Sequence, residues 1–311
     1  MKLFIYRFTR RLKAVEYRVV AWLALTLLAG LKLLPADSAM AFCDRWARRL
    51  GPFFGRHKVA LDNLRHAYPE KSDAEREAIA SDMWGNMARL MAEYVFLDQI
   101  IDYDPQNPNT GRIEVEGSQR FVDLVENQER PAIFFTAHMG NFELLPVAAE
   151  AYDLQVTALF RAPNNPYLAE KLLSARRTTM GHMLPSRAGA ALELARVLER
   201  GGNVGMLVDQ KFTRGIKTKF FGRDCLTSPL LGKLARNFPC DIYPACSVRL
   251  PNGRFKLTLF EPIEQPLDEK GRLDVNALTQ AVTSIVEEWV REDPGQWQWF
   301  HKRWQMGKAK Q

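Results

Sequence analysis

A chain of 311 residues that is 47% hydrophobic and 25% charged holds enough apolar material for a sizeable core, whether as one large domain or two smaller ones. Its net charge of +7 is unevenly spread: residues 1–58 carry twelve Lys or Arg against three acids, so the remainder is slightly acidic. A basic end wrapped around an apolar segment points to an anionic membrane surface as partner, and no nucleic-acid recognition module accompanies the charge.

Val19–Leu31 is the most apolar stretch, closed by Lys32-Leu33-Leu34-Pro35. The 16 residues from Val19 to Leu34 fall somewhat short of the ~20 that a perpendicular span requires. A retained anchor is expected over residues 1–38, either spanning or interfacial, since basic residues flank both sides. A buried helix of a soluble domain is the other reading. From Ala39 to Ile101 apolar residues recur every three or four positions, with breaks at Pro52, Gly55, Pro69 and Lys71–Asp73, and Ser72 with Glu75 forms the pattern of a capping box. The stripe Met83, Met87, Leu90, Met91, Tyr94, Val95 reads most simply as packed core, with the border of an acyl groove as the sharper alternative. The polar run Asp102–Pro108 separates this helical arm, 39–105, from an expected α/β core, 106–311.

Within that core, strands are expected at 132–136, 155–160, 204–208, 242–248 and 255–260. Helices are expected at 142–150, 166–178, 190–200, 229–237 and 275–291. The alternation predicts an α/β fold with a largely parallel sheet flanked by helices, finished by an antiparallel hairpin at Pro251-Asn252-Gly253. The four cysteines form no C-x-x-C pair and lack His at metal-ligand spacing, so neither a zinc site nor a disulfide framework is indicated. Glycine-rich nucleotide loops, H-E-x-x-H and the G-x-S-x-G nucleophile elbow are absent, and no cofactor is required.

The apolar run Ala132–Thr136 ends abruptly at Ala137-His138, Gly140 and Asn141 break the strand, and helical spacing resumes with Glu143 in the first turn and Asn141 as its cap. His138 and Glu143 would then face each other across a strand-to-helix turn. That pairing suits activation of a substrate hydroxyl, the imidazole taking the proton and the carboxylate fixing its tautomer. The plainer reading is a hydrogen-bonded core histidine beside a helix-terminal acid. Arg161 directly follows another apolar strand, where a guanidinium holds a phosphate or faces a developing oxyanion. Asp209 closes a third strand and reads as site-shaping, pinning the next loop. Lys211, Arg214, Lys217 and Lys219 follow in an expected loop that either lines the cleft or is solvated. The aromatic and cationic run Trp297–Trp304 is expected to pack on the core with partial interface contact.

Together, the runs Thr136–Glu143, Phe160–Pro166 and Leu207–Gln210 resemble the late acyltransferases of lipid A biosynthesis, the lauroyl and myristoyl transferases of the bacterial lysophospholipid acyltransferase superfamily. The resemblance covers nearly the whole chain. It implies transfer of a fatty acyl chain from acyl carrier protein to a hydroxyl of a lipid A precursor, by direct attack without an acyl-enzyme. It further implies a place at the bacterial inner membrane with the active site on the cytoplasmic side. His138 and Glu143 would be catalytic, while Arg161, Asn164, Asp209 and Lys211 would bind substrate or stabilise the oxyanion. Acylation of a glycerophospholipid or a glycosylated inositol lipid is the same chemistry on another acceptor. A membrane-surface binding protein on the same scaffold would need neither His138 nor Glu143.

Overall fold

The computed structural model describes residues 2–107, 110–160, 165–167 and 181–304. Arg161, Asn164 and nearly all of the helix expected at 166–178 lie outside the described residues. Helix α1 (Lys2–Leu31) is continuous, and its stretch Leu12–Leu31 is long and apolar enough to cross a membrane. Only 11% of that stretch is buried within the protein. The count from Val19 falls short because the helix has no break on its amino side, so Leu12–Arg18 lengthens the apolar stretch.

The arm follows as α2 (Ala36–Leu50), α3 (Gly55–Ala67), α4 (Asp73–Glu93) and the single turn α5 (Leu97–Ile100). The capping box opens α4 as its residues predict: the Ser72 hydroxyl accepts from the Glu75 N–H, and the Glu75 carboxylate accepts from the Ser72 N–H at 2.7 Å.

Seven strands form the main sheet: β1 (Ile113–Glu116), β2 (Ala132–Thr136), β3 (Val156–Phe160), β4 (His182–Pro185), β5 (Asn203–Leu207), β8 (Asp241–Arg249) and β9 (Phe255–Leu259), in the order β1-β9-β8-β2-β5-β3-β4. From β8 through β4 every pairing is parallel. The chain reverses at Pro251–Gly253, with Asn252 in the left-handed region, so β9 runs antiparallel to β8 and β1 lies parallel to β9. The β-strand period of two divides the core. Ile133 and Phe135 of β2 pack into one apolar cluster with α8 (Ala190–Glu199), α9 (Leu230–Asn237), α10 (Val275–Glu292) and residues of α3 and α4. Ala132 and Phe134 face the other, with α6 (Ser118–Glu126) and α7 (Leu144–Ala151).

The expected strands are present, as are the expected helices within the described residues. The segment after Asp209 departs from its expected loop: β6 (Lys211–Phe220) and β7 (Arg223–Thr227) form a separate antiparallel hairpin. Its apolar signal is weak because β6 buries only Thr218 and Phe220. Phe221 and Gly222, both at positive φ, make the two-residue reversal between these strands.

Candidate active site

The geometry begins with strand register. Thr136 of β2 is paired with Leu207 of β5, so His138 and Asp209, each two residues further on, emerge side by side at the carboxyl end of the sheet. His138 Nδ1 lies 2.8 Å from Asp209 Oδ1, and the His138 backbone N–H donates to Oδ2 at 3.1 Å. Trp297 Nε1 donates to the same Oδ2 at 2.8 Å. Burial pushes the Asp209 carboxyl up, but the facing imidazole and these hydrogen bonds outweigh it and hold the group down at about 2. An ionised carboxylate on Nδ1 selects the tautomer with its proton there, which leaves Nε2 as an acceptor. Gln210 Nε2, 3.2 Å from His138 Nε2, donates to it in keeping with that tautomer.

The structure thus gives to Asp209 the tautomer-fixing contact that sequence spacing assigns to Glu143. Glu143 is buried at the residue preceding α7, and its backbone N–H donates to Asn141 Oδ1 at 3.2 Å. Asn141 therefore caps the turn leading into the helix, which itself starts at Leu144, slightly later than expected. Glu143 and His138 line one cavity together with Met87, Leu90 and Met91 of α4 and Tyr94 just after it, so the arm's apolar stripe borders the site as well as the core. Lys211 lines this cavity too. A second, almost wholly apolar cavity lies between the sheet and α7, and Phe142, Glu143, Leu159, Phe160 and Leu207 belong to the walls of both.

The His138 loop is held from three sides. Gly140 has φ +50°, and a Cβ there would sit 2.4 Å from the Ser247 carbonyl oxygen, so both conformation and space require glycine. The Ser247 hydroxyl donates to the Asn141 carbonyl at 2.8 Å, and the Gly140 N–H donates to the Gln296 carbonyl at 3.2 Å. From α4, the buried Glu93 carboxylate accepts from Asn141 Nδ2 at 2.9 Å. Glu93 is also ion-paired with Arg249, whose Nε donates to Asn86 Oδ1 at 3.1 Å. These groups satisfy one another away from water, which is what allows charges there at all.

The aromatic tail packs inside the fold. Trp297, Trp299 and Trp304 are buried against Phe220 and Phe221, and Trp297 bridges to Met139 of the His138 loop. The Arg303 side chain is enclosed and donates to the Leu226 carbonyl and the Thr227 hydroxyl. His301 Nε2 accepts from the Lys211 backbone N–H at 3.1 Å, and burial pushes His301 down to about 4, so it serves as a neutral acceptor. Trp297 and His301 are site-building residues that sequence reasoning left unassigned; the density of aromatic N–H donors in the tail was their only signal. Among the described residues no three His, Cys, Asp or Glu side chains converge as a metal set would.

The bacterial lipid A biosynthesis acyltransferase family matches residues 5–306. Among curated relatives, the lipid A biosynthesis myristoyltransferase of Escherichia coli (strain K12) is 24% identical over 91% of this chain and 85% of its own length. The lipid A biosynthesis acyltransferase 2 of Shigella flexneri is 25% identical over 90% of this chain and 88% of its own. A histidine–aspartate pair at the carboxyl end of a parallel sheet, opening onto a cavity that shares walls with an apolar one, sits within a match that spans almost the entire sequence, and the chain belongs to the bacterial lipid A biosynthesis acyltransferase family.

Proposed function

We propose that this protein moves a fatty acyl chain from the thioester of acyl carrier protein to a hydroxyl group of a lipid A precursor, at the cytoplasmic face of the bacterial inner membrane. The observation that carries the reading is the junction of two cavities beside His138. One is an apolar slot suited to an acyl chain, the other is wider and holds the imidazole, and Glu143 borders both.

In this mechanism His138 Nε2 accepts the proton of the acceptor hydroxyl as its oxygen attacks the thioester carbonyl. The imidazolium formed is stabilised by ionised Asp209. The C–S bond then breaks, the thiolate leaves, and the proton held on Nε2 is free to pass to it. No acyl-enzyme is needed, because the acceptor itself is the nucleophile. We assign Glu143 to arranging the substrates and charged groups around the reacting hydroxyl. Arg161, Asn164 and Lys211 are assigned to the anionic substrate and the developing oxyanion. Helix α1 is the membrane anchor in this reading, supported by its length, its apolar composition and its small buried share.

The test is acyl transfer from a carrier-protein thioester to a lipid A precursor in detergent, together with mass spectrometry of lipid A from null and complemented strains. Underacylated lipid A in the null strain, restored by the wild-type gene and not by His138→Ala, is the expected result. A change confined to glycerophospholipids would overturn the acceptor, and near wild-type turnover by folded His138→Ala would overturn the mechanism.

A further inference from the structure

Helix α2 divides its side chains in a way that packing alone does not explain. One side is internal: Ala39 and Met40 join the core cluster with Ala92 and Phe96, and Asp44 and Arg48 engage each other and α4. On the other side Phe42, Trp46 and Leu50, spaced by four, are exposed, and the stripe continues into Phe54 and into Phe53, which is 86% exposed. Arg45, Arg49, Arg56 and Lys58 stand exposed around it, and none of them pairs with a described carboxylate. The Arg49 guanidinium lies 5.9 Å from the centre of the Trp46 ring.

We propose that this ridge, from Phe42 to Phe54 with its four cations, is a second membrane contact that lies in the headgroup layer of an anionic bilayer. The inference rests on α1 being in the membrane, as the proposed function has it. Three observations favour a bilayer over a second copy of the chain. The ridge follows α1 after only the connection Lys32–Pro35, in which Leu33 and Leu34 are themselves exposed, so the apolar surface runs on from the membrane helix. Its composition, aromatic and leucine residues flanked by unpaired cations, is that of helices that lie in the interface. Its charge is complementary to anionic lipid and self-repelling toward a second identical face. The functional consequence follows from packing: α2 lies on α4, and α4 supplies Met87, Leu90 and Met91 to the cavity over His138. Seating α2 in the headgroups therefore holds that cavity wall at the lipid surface, where an acceptor with acyl chains is found.

The experiment uses the full chain in nanodiscs of phosphatidylglycerol and phosphatidylcholine, with Phe53→Cys in a Cys43→Ser background and an environment-sensitive fluorophore on the new thiol. Glu269→Cys, at an exposed position in a loop of the core, is the control. Interfacial helices bury their apolar face by ~5–10 Å, so brominated lipids are expected to quench the label at position 53 by about half and to leave position 269 unchanged. Combining Phe53→Cys with Arg45→Glu, Arg49→Glu and Arg56→Glu should abolish that quenching while α1 keeps the chain in the disc. A label at 53 as open to aqueous iodide as the control would overturn the proposal. Quenching that is equal in discs of phosphatidylcholine alone and survives the charge reversal would overturn its anionic selectivity. Because no acyl transfer is measured, failure of the ridge is distinct from failure of the catalytic reading. A chain that does not enter the disc would show instead that α1 is no anchor.

Discussion

At the scale of single residues, the proposed mechanism has His138 act together with the carboxylate behind it. His138→Ala should lower acyl transfer by about 10² to 10⁴-fold, the usual contribution of a general base. Asp209→Asn should also cost activity, because a neutral amide stabilises no imidazolium, and the double variant should be little worse than His138→Ala alone, since the two act as a unit. Additive losses in the purified, folded proteins would separate the pair. His301 leads to a prediction about pH. Its pKa is lowered to about 4 by burial, so on acidification the unfolded chain takes up the proton first. Stability is then lost as pH falls from the ordinary histidine value near 6.5 toward 4, and is present in full above that window. His301→Gln, whose side-chain carbonyl can still accept from the Lys211 N–H, should flatten this part of a melting-temperature profile against pH. His138, Glu143 and Asp209 are all legible in the sequence as polar residues at the ends of apolar strands or the start of a helix. Their pairing is not: His138 and Asp209 are 71 residues apart, and only the β2–β5 register joins them, whereas Glu143 is near in sequence and so is the partner that spacing suggests.

Secondary elements show the same division between local and non-local signals. Strands with apolar runs and helices with a clear stripe could be read directly, as could the reversal at Asn252-Gly253. The hairpin of β6 and β7 could not, because its exposed alternation of Lys, Thr and Arg looks like a solvated loop until the buried tail beneath Phe220 is known. Helix α4 was legible as a helix but not as the element that braces the His138 loop through Glu93 and Asn141. Glu93→Gln should destabilise the protein by ~3–5 kcal/mol, because it strips a largely enclosed arginine of its counter-charge. Glu93→Leu with Arg249→Met should recover most of that stability in thermal melts in detergent, since removing both charges also removes the desolvation penalty. Activity should stay low in the recovered protein, because Asn141 has lost its acceptor. Full activity there would show that the ion pair serves stability alone.

For the whole molecule, the division of labour between α1 and the remainder is open to a direct cut. Among the described residues, Leu28 and Leu31 are the α1 side chains that join the core cluster, so deleting residues 1–27 should leave the α/β core folded and shift most of the protein out of the membrane fraction. What stays bound should wash off with salt, as expected of cationic contacts at a charged surface. Retention that resists both salt and alkaline washing would place the principal anchor elsewhere. Trp297 carries a further consequence. It holds Asp209 from 88 residues downstream and closes over the His138 loop, and Trp299, Arg303 and Trp304 lock it there. A ribosome makes these residues more than two hundred positions after α1. On the reading that α1 is the membrane anchor and that His138 and Asp209 are the catalytic pair, the nascent chain reaches the bilayer while that pair still lacks its indole donor, and catalytic competence waits on a segment synthesised 88 residues after Asp209.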